Sequence, residues 1–364
     1  LERDRYVEHR FGNSSPLSLG VEEELLLVDE RLRLVAASER AIAAAPVDAR
    51  ERLSTEIFAT QIELKTGVCE DAAGAVADLA ALRSTVRETG VEILGSGLHP
   101  DDPEEPELVE KPRYEPVKKD FAALLSTPPC GLHVHVGMPD PETAVRVGNA
   151  LRQQLPLLQA LSANSPFRQG TDTGLASARA AVVSTYPRFE MPRAFRDYAH
   201  FLEVADQLIA AAGVDDYTYL WWDVRPHPNL GTVEVRAMDV QRRVEGNVAV
   251  AALVQALAAR EIDRPGGPGL HREALEEAYY QAGRYGLEAR LLVGDGEAMP
   301  AAVAARRTLD EVLPYARELG GEGALEEIER VLREGNGADD QRRIQARFGL
   351  EGLLAYLAER PSPI

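Results

Sequence analysis

Along the first two-thirds of the chain apolar residues recur at every second position in short runs, and in the last third they recur at helical spacing. Leu17 to Val28, Ile57 to Thr66, Val91 to Leu98 and Cys130 to Met138 read as strands, since side chains two apart share a face of an extended chain. Tyr217 to Arg225 and Thr232 to Met238 read as two more, joined by the turn-rich Pro226-His-Pro-Asn-Leu-Gly231. Alanine and leucine at helical spacing predict helices from about Asp71 to Thr89 and from Glu142 to Ala163. From Arg242 onward the pattern is mainly helical: Val244 to Arg260, Arg272 to Tyr285, Ala301 to Glu318, Leu325 to Glu334 and a last amphipathic stretch to Glu359. The proline- and acid-rich segment His99 to Arg113 cannot hold regular structure for long, and reads as a solvated loop or an active-site lid. Strands followed by a helical tail predict an α+β fold. No fixed-period repeat or low-complexity linker divides the chain, so residues 1–364 read as one catalytic domain, its motifs within 17–241 and its helical part at 242–364.

Several of these strands carry polar residues on one face. In Gly20-Val-Glu-Glu-Glu-Leu25, alternation points Glu22 and Glu24 the same way, roughly 7 Å apart, and Glu23 the other way. That is either a solvent-facing stripe or a pair of metal ligands. In Gly131-Leu-His-Val-His-Val-Gly137, His133 and His135 share a face opposite three apolar side chains, a pattern that favours ligands over structural histidines. In Leu230-Gly-Thr-Val-Glu-Val-Arg236, Glu234 and Arg236 share a face; they either pair on a sheet surface or combine a metal carboxylate with a phosphate-gripping arginine. Gln61-Ile-Glu-Leu-Lys-Thr66 offers Glu63 with Gln61 and Lys65 on its face. Glu56 lies seven positions earlier, and only a bulge or bend would bring it to the same side.

Composition narrows the chemistry. The chain has 364 residues, 45% of them hydrophobic, and a formal charge of −19. That charge argues against a nucleic-acid or anionic-membrane partner, though not against ATP, which needs only local cations. Two cysteines, Cys69 and Cys130, exclude a disulfide framework and read as small buried side chains. The charged N-terminal residues lack a signal-peptide core, and the longest apolar run, Val248 to Ala259, is too short to span a bilayer. The expectation is a soluble, cytoplasmic protein. If the carboxylates converge, each pair about 4 Å apart repels by roughly 4 kcal/mol at an effective dielectric near 20, a cost that bound divalent cations remove. Oxygen-rich ligands with one imidazole suit Mg²⁺ or Mn²⁺.

Five ordered motifs between about Leu17 and Gln241 now resemble one family: Gly20-Val-Glu-Glu-Glu, Gln61-Ile-Glu-Leu-Lys-Thr, Gly131-Leu-His-Val-His-Val-Gly, Asp172-Thr-Gly-Leu-Ala-Ser-Ala-Arg179 and Arg225-Pro-His-Pro-Asn-Leu-Gly-Thr-Val-Glu-Val-Arg236. The sequence resembles the YbdK-like carboxylate–amine ligases of the type 2 glutamate–cysteine ligase family, within the glutamine synthetase superfamily. The resemblance implies a glutamine synthetase-like curved, mostly antiparallel sheet with helices on its convex side. It implies ATP and Mg²⁺, with Glu22, Glu63 and Glu56 on one metal and Glu24, His133 and Glu234 on the other. Arg236 then faces the transferring phosphoryl group, Arg179 and Arg225 hold the acid substrate or phosphate, and Lys65 and His135 join Glu22 and Arg236 around the nucleotide. The implied reaction joins glutamate's γ-carboxylate to cysteine or another small amine through an acyl phosphate, in a homo-oligomer. Rival readings on the same residues are a guanidino-kinase type phosphotransferase and a nucleotide-binding regulatory protein without turnover.

Overall fold

A computed structural model describes residues 9–101, 106–121, 124–267, 269–293 and 296–360. The chain begins with β1 (Leu19–Val28), the short helices α1 (Ser38–Ala44) and α2 (Val47–Arg50), β2 (Leu53–Thr55), β3 (Gln61–Lys65), α3 (Ala72–Glu88), β4 (Glu92–Leu94), α4 (Glu115–Phe121) and β5 (Gly131–Gly137). Then come α5 (Pro141–Ser162), a small hairpin of β6 (Phe167–Arg168) and β7 (Thr171–Asp172), α6 (Ala178–Val183), α7 (Tyr198–Ala212), β8 (Val224–His227) and β9 (Thr232–Asp239). The last third holds α8 (Val244–Asp263), α9 (Arg272–Tyr285), a hairpin of β10 (Arg290–Val293) and β11 (Glu297–Pro300), α10 (Ala301–Glu318), α11 (Glu322–Glu334) and α12 (Gly337–Leu357). No described helix is long and apolar enough to cross a membrane.

Seven strands form one antiparallel sheet in the order β2-β3-β1-β5-β9-β8, with β4 paired to β1. Alternation gives the sheet two unlike faces. The back face carries Val21, Leu132, Val134, Val136, Val233 and Val235, all buried against apolar residues of α3, α5 and α8. Each such side chain contributes about 1.5–3 kcal/mol when fully buried. The helices α3, α5 and α7 each start where an aspartate caps them: Asp71 accepts from Gly74 N, Asp140 from Thr143 N and Asp197 from His200 N, satisfying otherwise orphaned donors.

Glu23 is the exception on the apolar face, and it is fully buried there. Arg83 of α3 donates to both its carboxylate oxygens, at 2.8 and 2.7 Å, and Asn247 of α8 donates at 2.6 Å. Arg83 also reaches the carbonyl of Arg242, at 2.6 Å. One carboxylate therefore ties β1, α3 and the start of α8 together.

The structure departs from the sequence reading in three places. The strand expected from Ile57 begins only at Gln61, because residues 57–59 pair with 107–109 of a neighbouring segment: Ala59 N donates to Glu107 O, and Val109 N donates to Ile57 O. The aromatic run from Tyr217 is not a strand. Asp216 caps a 3₁₀ turn over Tyr217–Tyr219, and pairing in β8 starts at Val224. The C-terminal third contains the β10–β11 hairpin as well as helices. In the acidic segment, residues 102–105 lie outside the described residues; the flanking part is not simply solvated, since Lys111 Nζ and Tyr114 Oη bond Thr55 at 2.7 and 2.8 Å.

The Glu23 network makes a testable demand on stability. Arg83→Met leaves a buried, unpaired carboxylate and lowers the unfolding free energy by about 3–5 kcal/mol, read from urea unfolding midpoints. The double variant Glu23→Leu/Arg83→Met recovers most of that loss, because no charge is then left buried alone.

Candidate functional site

The front face of the same strands is the floor of a cavity of about 360 Å³. Antiparallel register brings the polar side chains together: Glu22 of β1 lies opposite His133 of β5 and Lys65 of β3, Glu24 lies opposite Glu63, and His135 lies opposite Glu234 of β9. His133 Nδ1 is 3.4 Å from Glu22 and 3.9 Å from Glu63, and its Nε2 is 3.8 Å from Glu24. His135 Nε2 is 3.7 Å from Glu22 and 3.8 Å from Glu234, has no hydrogen-bond partner, and is aimed by the contact of Nδ1 with Thr232 Oγ1 at 3.0 Å. Lys65 pairs with Glu63 at 2.7 Å. Glu56 lines the same cavity from the connection between β2 and β3, so the required bend exists and it is not a strand residue.

Closeness on this floor depends on two local features. Gly131 N donates to Glu24 at 2.5 Å, and a Cβ at Gly131 would fall 3.3 Å from that carboxylate and collide with the Arg179 guanidinium. Between β5 and β9 the register slips: Leu132 faces Met238 while Val134 faces Val235, so β9 carries one extra residue. This bulge lies at Arg236 and Ala237, and re-aims β9 beside His133. Arg236 Nη1 donates to Glu234 and lies 3.4 Å from His133 Nδ1, while its Nε is buried without a partner.

Arg179 and Arg225 also line the cavity, but both are engaged within the protein, although Arg179 Nε is buried without a partner. Arg179 donates to the carbonyls of Ala237 at 3.2 Å and Arg236 at 3.4 Å, holding the bulge. Arg225 donates to Glu234 at 2.6 Å and to the carbonyl of Leu220 at 2.7 Å, with longer contacts to those of Tyr217 and Thr218. It therefore orients Glu234 and fixes the 3₁₀ turn. Of the three arginines expected to act on substrate, Arg236 alone is placed at the carboxylates with little backbone to serve.

Charge is distributed unevenly over these groups. Burial raises the Glu63 carboxyl well above the usual carboxylate range, and Glu22 and Glu56 push it further than Lys65 can offset. For Glu22 burial acts in the same upward direction but is overcome by His135, His133 and Lys65, so it stays well below that range. Burial and then Arg236 lower the His133 imidazole despite Glu22 and Glu24, favouring the neutral form that binds metals. The His135 imidazole moves up, because Glu22 and Glu234 outweigh burial. His227, edge-on to His135 with ring centres 5.7 Å apart, is pushed down to about 4, chiefly by burial.

These donors fit hard divalent cations. Glu22, His133 and Glu234 form one group of three, and Glu24, Glu63 and His133 a second, with the ligand atoms of each within 4.8 Å of one another. Carboxylates with one imidazole suit Mg²⁺ or Mn²⁺, which these residues would hold. By proximity Glu22 stands with His133 and Glu234, and Glu24 with Glu63 and His133, while Glu22 and Glu56 are the carboxylates that act on Glu63, the set the resemblance implies for one metal. Cross-strand register brings these side chains together, since each meets the residue opposite it on the neighbouring strand.

Sequence reasoning missed the walls. Phe58, Phe121, Tyr186, Phe189 and Trp221 enclose the mouth, with Phe121 stacked on Tyr186 at 5.8 Å and Phe189 on Trp221 at 5.2 Å. The aromatic run from Tyr217 to Trp222 was their one visible signal, and strand propensity masked it.

The sequence pattern of glutamate–cysteine ligase family 2 matches residues 18–356. A Rubrobacter xylanophilus protein named "Putative glutamate–cysteine ligase 2-3" is 42% identical over 368 residues, covering 97% of this chain and 99% of its own. A glutamate–cysteine ligase of Haloquadratum walsbyi is 36% identical, covering 93% of this chain and 95% of its own. The fold is similar to that of the Francisella tularensis glutamate–cysteine ligase solved with AMP, with a TM-score of 0.69 at 13% identity, covering 95% of this chain and 88% of the other.

If the carboxylates serve cations rather than packing, Glu24→Gln and Glu63→Gln unfold in metal-free urea at or above the parental midpoint, because each relieves repulsion. Each weakens Mn²⁺ binding, followed by electron paramagnetic resonance, by about tenfold or more, the loss of one charged ligand contact of about 1.5–3 kcal/mol.

Proposed function

The chain belongs to glutamate–cysteine ligase family 2, and from that premise we propose an ATP- and Mg²⁺-dependent carboxylate–amine ligase that activates the γ-carboxylate of glutamate. The observation that carries the reading is the convergence of Glu22, Glu24, Glu63, His133 and Glu234 into two cation-sized groups beside Arg236. In this reading Glu22, His133 and Glu234 hold one Mg²⁺ and Glu24 and Glu63 hold the other, with Glu56 near enough to contribute. When bound, the cations neutralise the phosphate oxygens of the nucleotide and hold them in line for transfer.

The chain's own residues supply the rest. A glutamate carboxylate oxygen attacks the γ-phosphorus and ADP departs; the incoming amine then attacks the acyl carbon, phosphate departs, and the amine loses a proton. Arg236 Nε and Nη2 lie where they can donate to phosphoryl oxygens as charge shifts during transfer, the point at which fixed donors matter most. Arg225 keeps Glu234 oriented, and Arg179 keeps the bulge that aims Arg236; both are positioning residues. Lys65, paired with Glu63, and His135, between Glu22 and Glu234, hold the surrounding carboxylates in place. The aromatic walls exclude water from the acyl phosphate, which water would otherwise hydrolyse.

The test uses the whole chain with ATP, Mg²⁺, glutamate and a panel of amines that includes cysteine, reading phosphate release and products by mass spectrometry. The expected result is phosphate release that depends on an amine, together with a γ-glutamyl amide. A stable phosphorylated product whose formation ignores the amine means a kinase instead, and no turnover with any acid means a binding protein. Arg236→Lys, which replaces a planar fork by a point charge, lowers kcat by about 10²–10³-fold with the fold intact by circular dichroism. Near-parental turnover removes Arg236 from the reaction.

A further inference from the structure

We propose that a second cavity, away from the carboxylate cluster, binds a small oxyanion through the buried guanidinium of Arg152. This cavity, of about 1140 Å³, lies between the N-terminal half of α5, the end of α8, the β10–β11 hairpin and α10. Four arginines are buried among the described residues: Arg83, Arg152, Arg179 and Arg225. Arg83 has Glu23 at 2.7 Å, Arg225 has Glu234 at 2.6 Å, and Arg179 has Asp239 at 3.9 Å. Arg152, only 5% exposed, has no carboxylate.

Its hydrogen bonding is equally thin. Nη2 makes a 3.5 Å contact with the carbonyl of Leu270, and Nε is buried with no partner. The charged neighbour that acts on it is a second cation, Arg272, which adds to burial in weakening its hold on its proton. A guanidinium has five N–H donors and stays charged in proteins, so a buried one without a counter-charge is destabilising. Anchoring Leu270 does not account for it, because the neighbouring Gln153 already accepts from Leu270 N at 2.8 Å and carries no charge. Where a protein keeps such a group facing a cavity, the missing partner is supplied by what enters it.

The same cavity holds a second under-used cation. Arg260 Nε is buried without a partner, and its Nη1 is 3.9 Å from Glu261, a carboxylate already accepting from Gly266 N at 3.1 and 3.2 Å. Arg146, Arg196 and Arg307 also line the cavity, together with Glu142, Glu261, Glu297 and Glu311; Glu297 is paired with Arg307 at 3.1 Å and Glu142 accepts from Tyr198 N. In a chain with a net charge of −19, arginines outnumber acids here, and the two whose Nε has no partner, Arg152 and Arg260, favour an anion locally. The planar fork of Arg152 matches the two oxygens of a carboxylate or a phosphate. The ligand class is therefore an oxyanion-bearing small molecule.

Inorganic phosphate and succinate are titrated separately into the whole chain, by calorimetry and by thermal unfolding, for the parent, Arg152→Gln, Arg260→Gln and the cluster variant Glu234→Gln. The expected result is that one or both anions bind and raise Tm in the parent and in Glu234→Gln alike. Binding weakens by about tenfold or more in Arg152→Gln, the loss of one charge-assisted contact. Which anion responds identifies the headgroup. Should Arg152→Gln fail to fold, the same weakening in Arg260→Gln supports the site. The proposal is overturned if neither anion binds the parent, if the affinity is unchanged in both arginine variants, or if Glu234→Gln shifts the affinity in either direction as far as they do, which would put the anion at the carboxylate cluster. It is also overturned if light scattering finds that Arg152→Gln changes the oligomeric state, since the guanidinium then meets an acid of a second copy.

Discussion

Cross-strand register on one antiparallel sheet is the constraint from which the rest follows. Five carboxylates and two imidazoles belong to segments far apart in sequence, and they meet because β1 pairs with β3 on one side and β5 on the other, while β9 pairs with β5. A slip of one residue in any of these pairings would turn a front-face carboxylate into the apolar back face. The back face resists that slip: Val21, Leu132, Val134, Val136, Val233 and Val235 would have to enter the cavity as the carboxylates left it. Hydrophobic burial thus fixes the position of charged groups that repel one another. The raised Glu63 carboxyl is the visible sign of that stress.

Three consecutive glutamates illustrate how environment, rather than residue type, assigns a role. Glu23 faces backwards, meets Arg83 and Asn247, and is a structural tie. Glu22 and Glu24 face forwards and meet imidazoles, a lysine and another carboxylate. The same side chain is therefore a buried ion-pair partner at one position and a member of a carboxylate–imidazole cluster at the next, and removing it should have opposite consequences for stability. Function and stability are opposed on the front face and aligned on the back.

Much of this was legible in the sequence. Period-two alternation correctly separated Glu23 from Glu22 and Glu24 and placed His133 with His135, because a strand's geometry fixes side-chain direction without reference to its neighbours. What alternation cannot supply is which strands are adjacent and in what register, so the division of ligands between two metals was given only by the resemblance. The bulge at Arg236 was hidden for the same reason: it exists only relative to β5. The run from Tyr217 to Trp222 misled in another way. Its residues favour strands, yet Asp216 and the donors of Arg225, nine positions later in the chain, hold it in a turn. Tertiary hydrogen bonds overrode local propensity there.

Arginine is used in three distinct ways in this molecule, and the distinction bears on where chemistry can occur. Arg83, Arg179 and Arg225 are engaged by carboxylates and backbone carbonyls, with Arg179 Nε alone among their Nε atoms left without a partner, so each fixes a piece of backbone: the start of α8, the β9 bulge and the 3₁₀ turn. Arg236 is fixed by Glu234 at one nitrogen only and keeps its remaining donors at the carboxylate cluster. Arg152 is buried with almost nothing to bind. A guanidinium whose hydrogen bonds are complete can only maintain geometry, because a substrate would have to displace an existing partner at a cost comparable to what it offers. The groups able to act on a ligand are those whose pairing is incomplete within the chain: Arg236 offers an anion one place beside the carboxylates, and Arg152 and Arg260 offer another beneath α5, in a cavity whose acids Glu261 and Glu297 are already engaged by Gly266 N and Arg307.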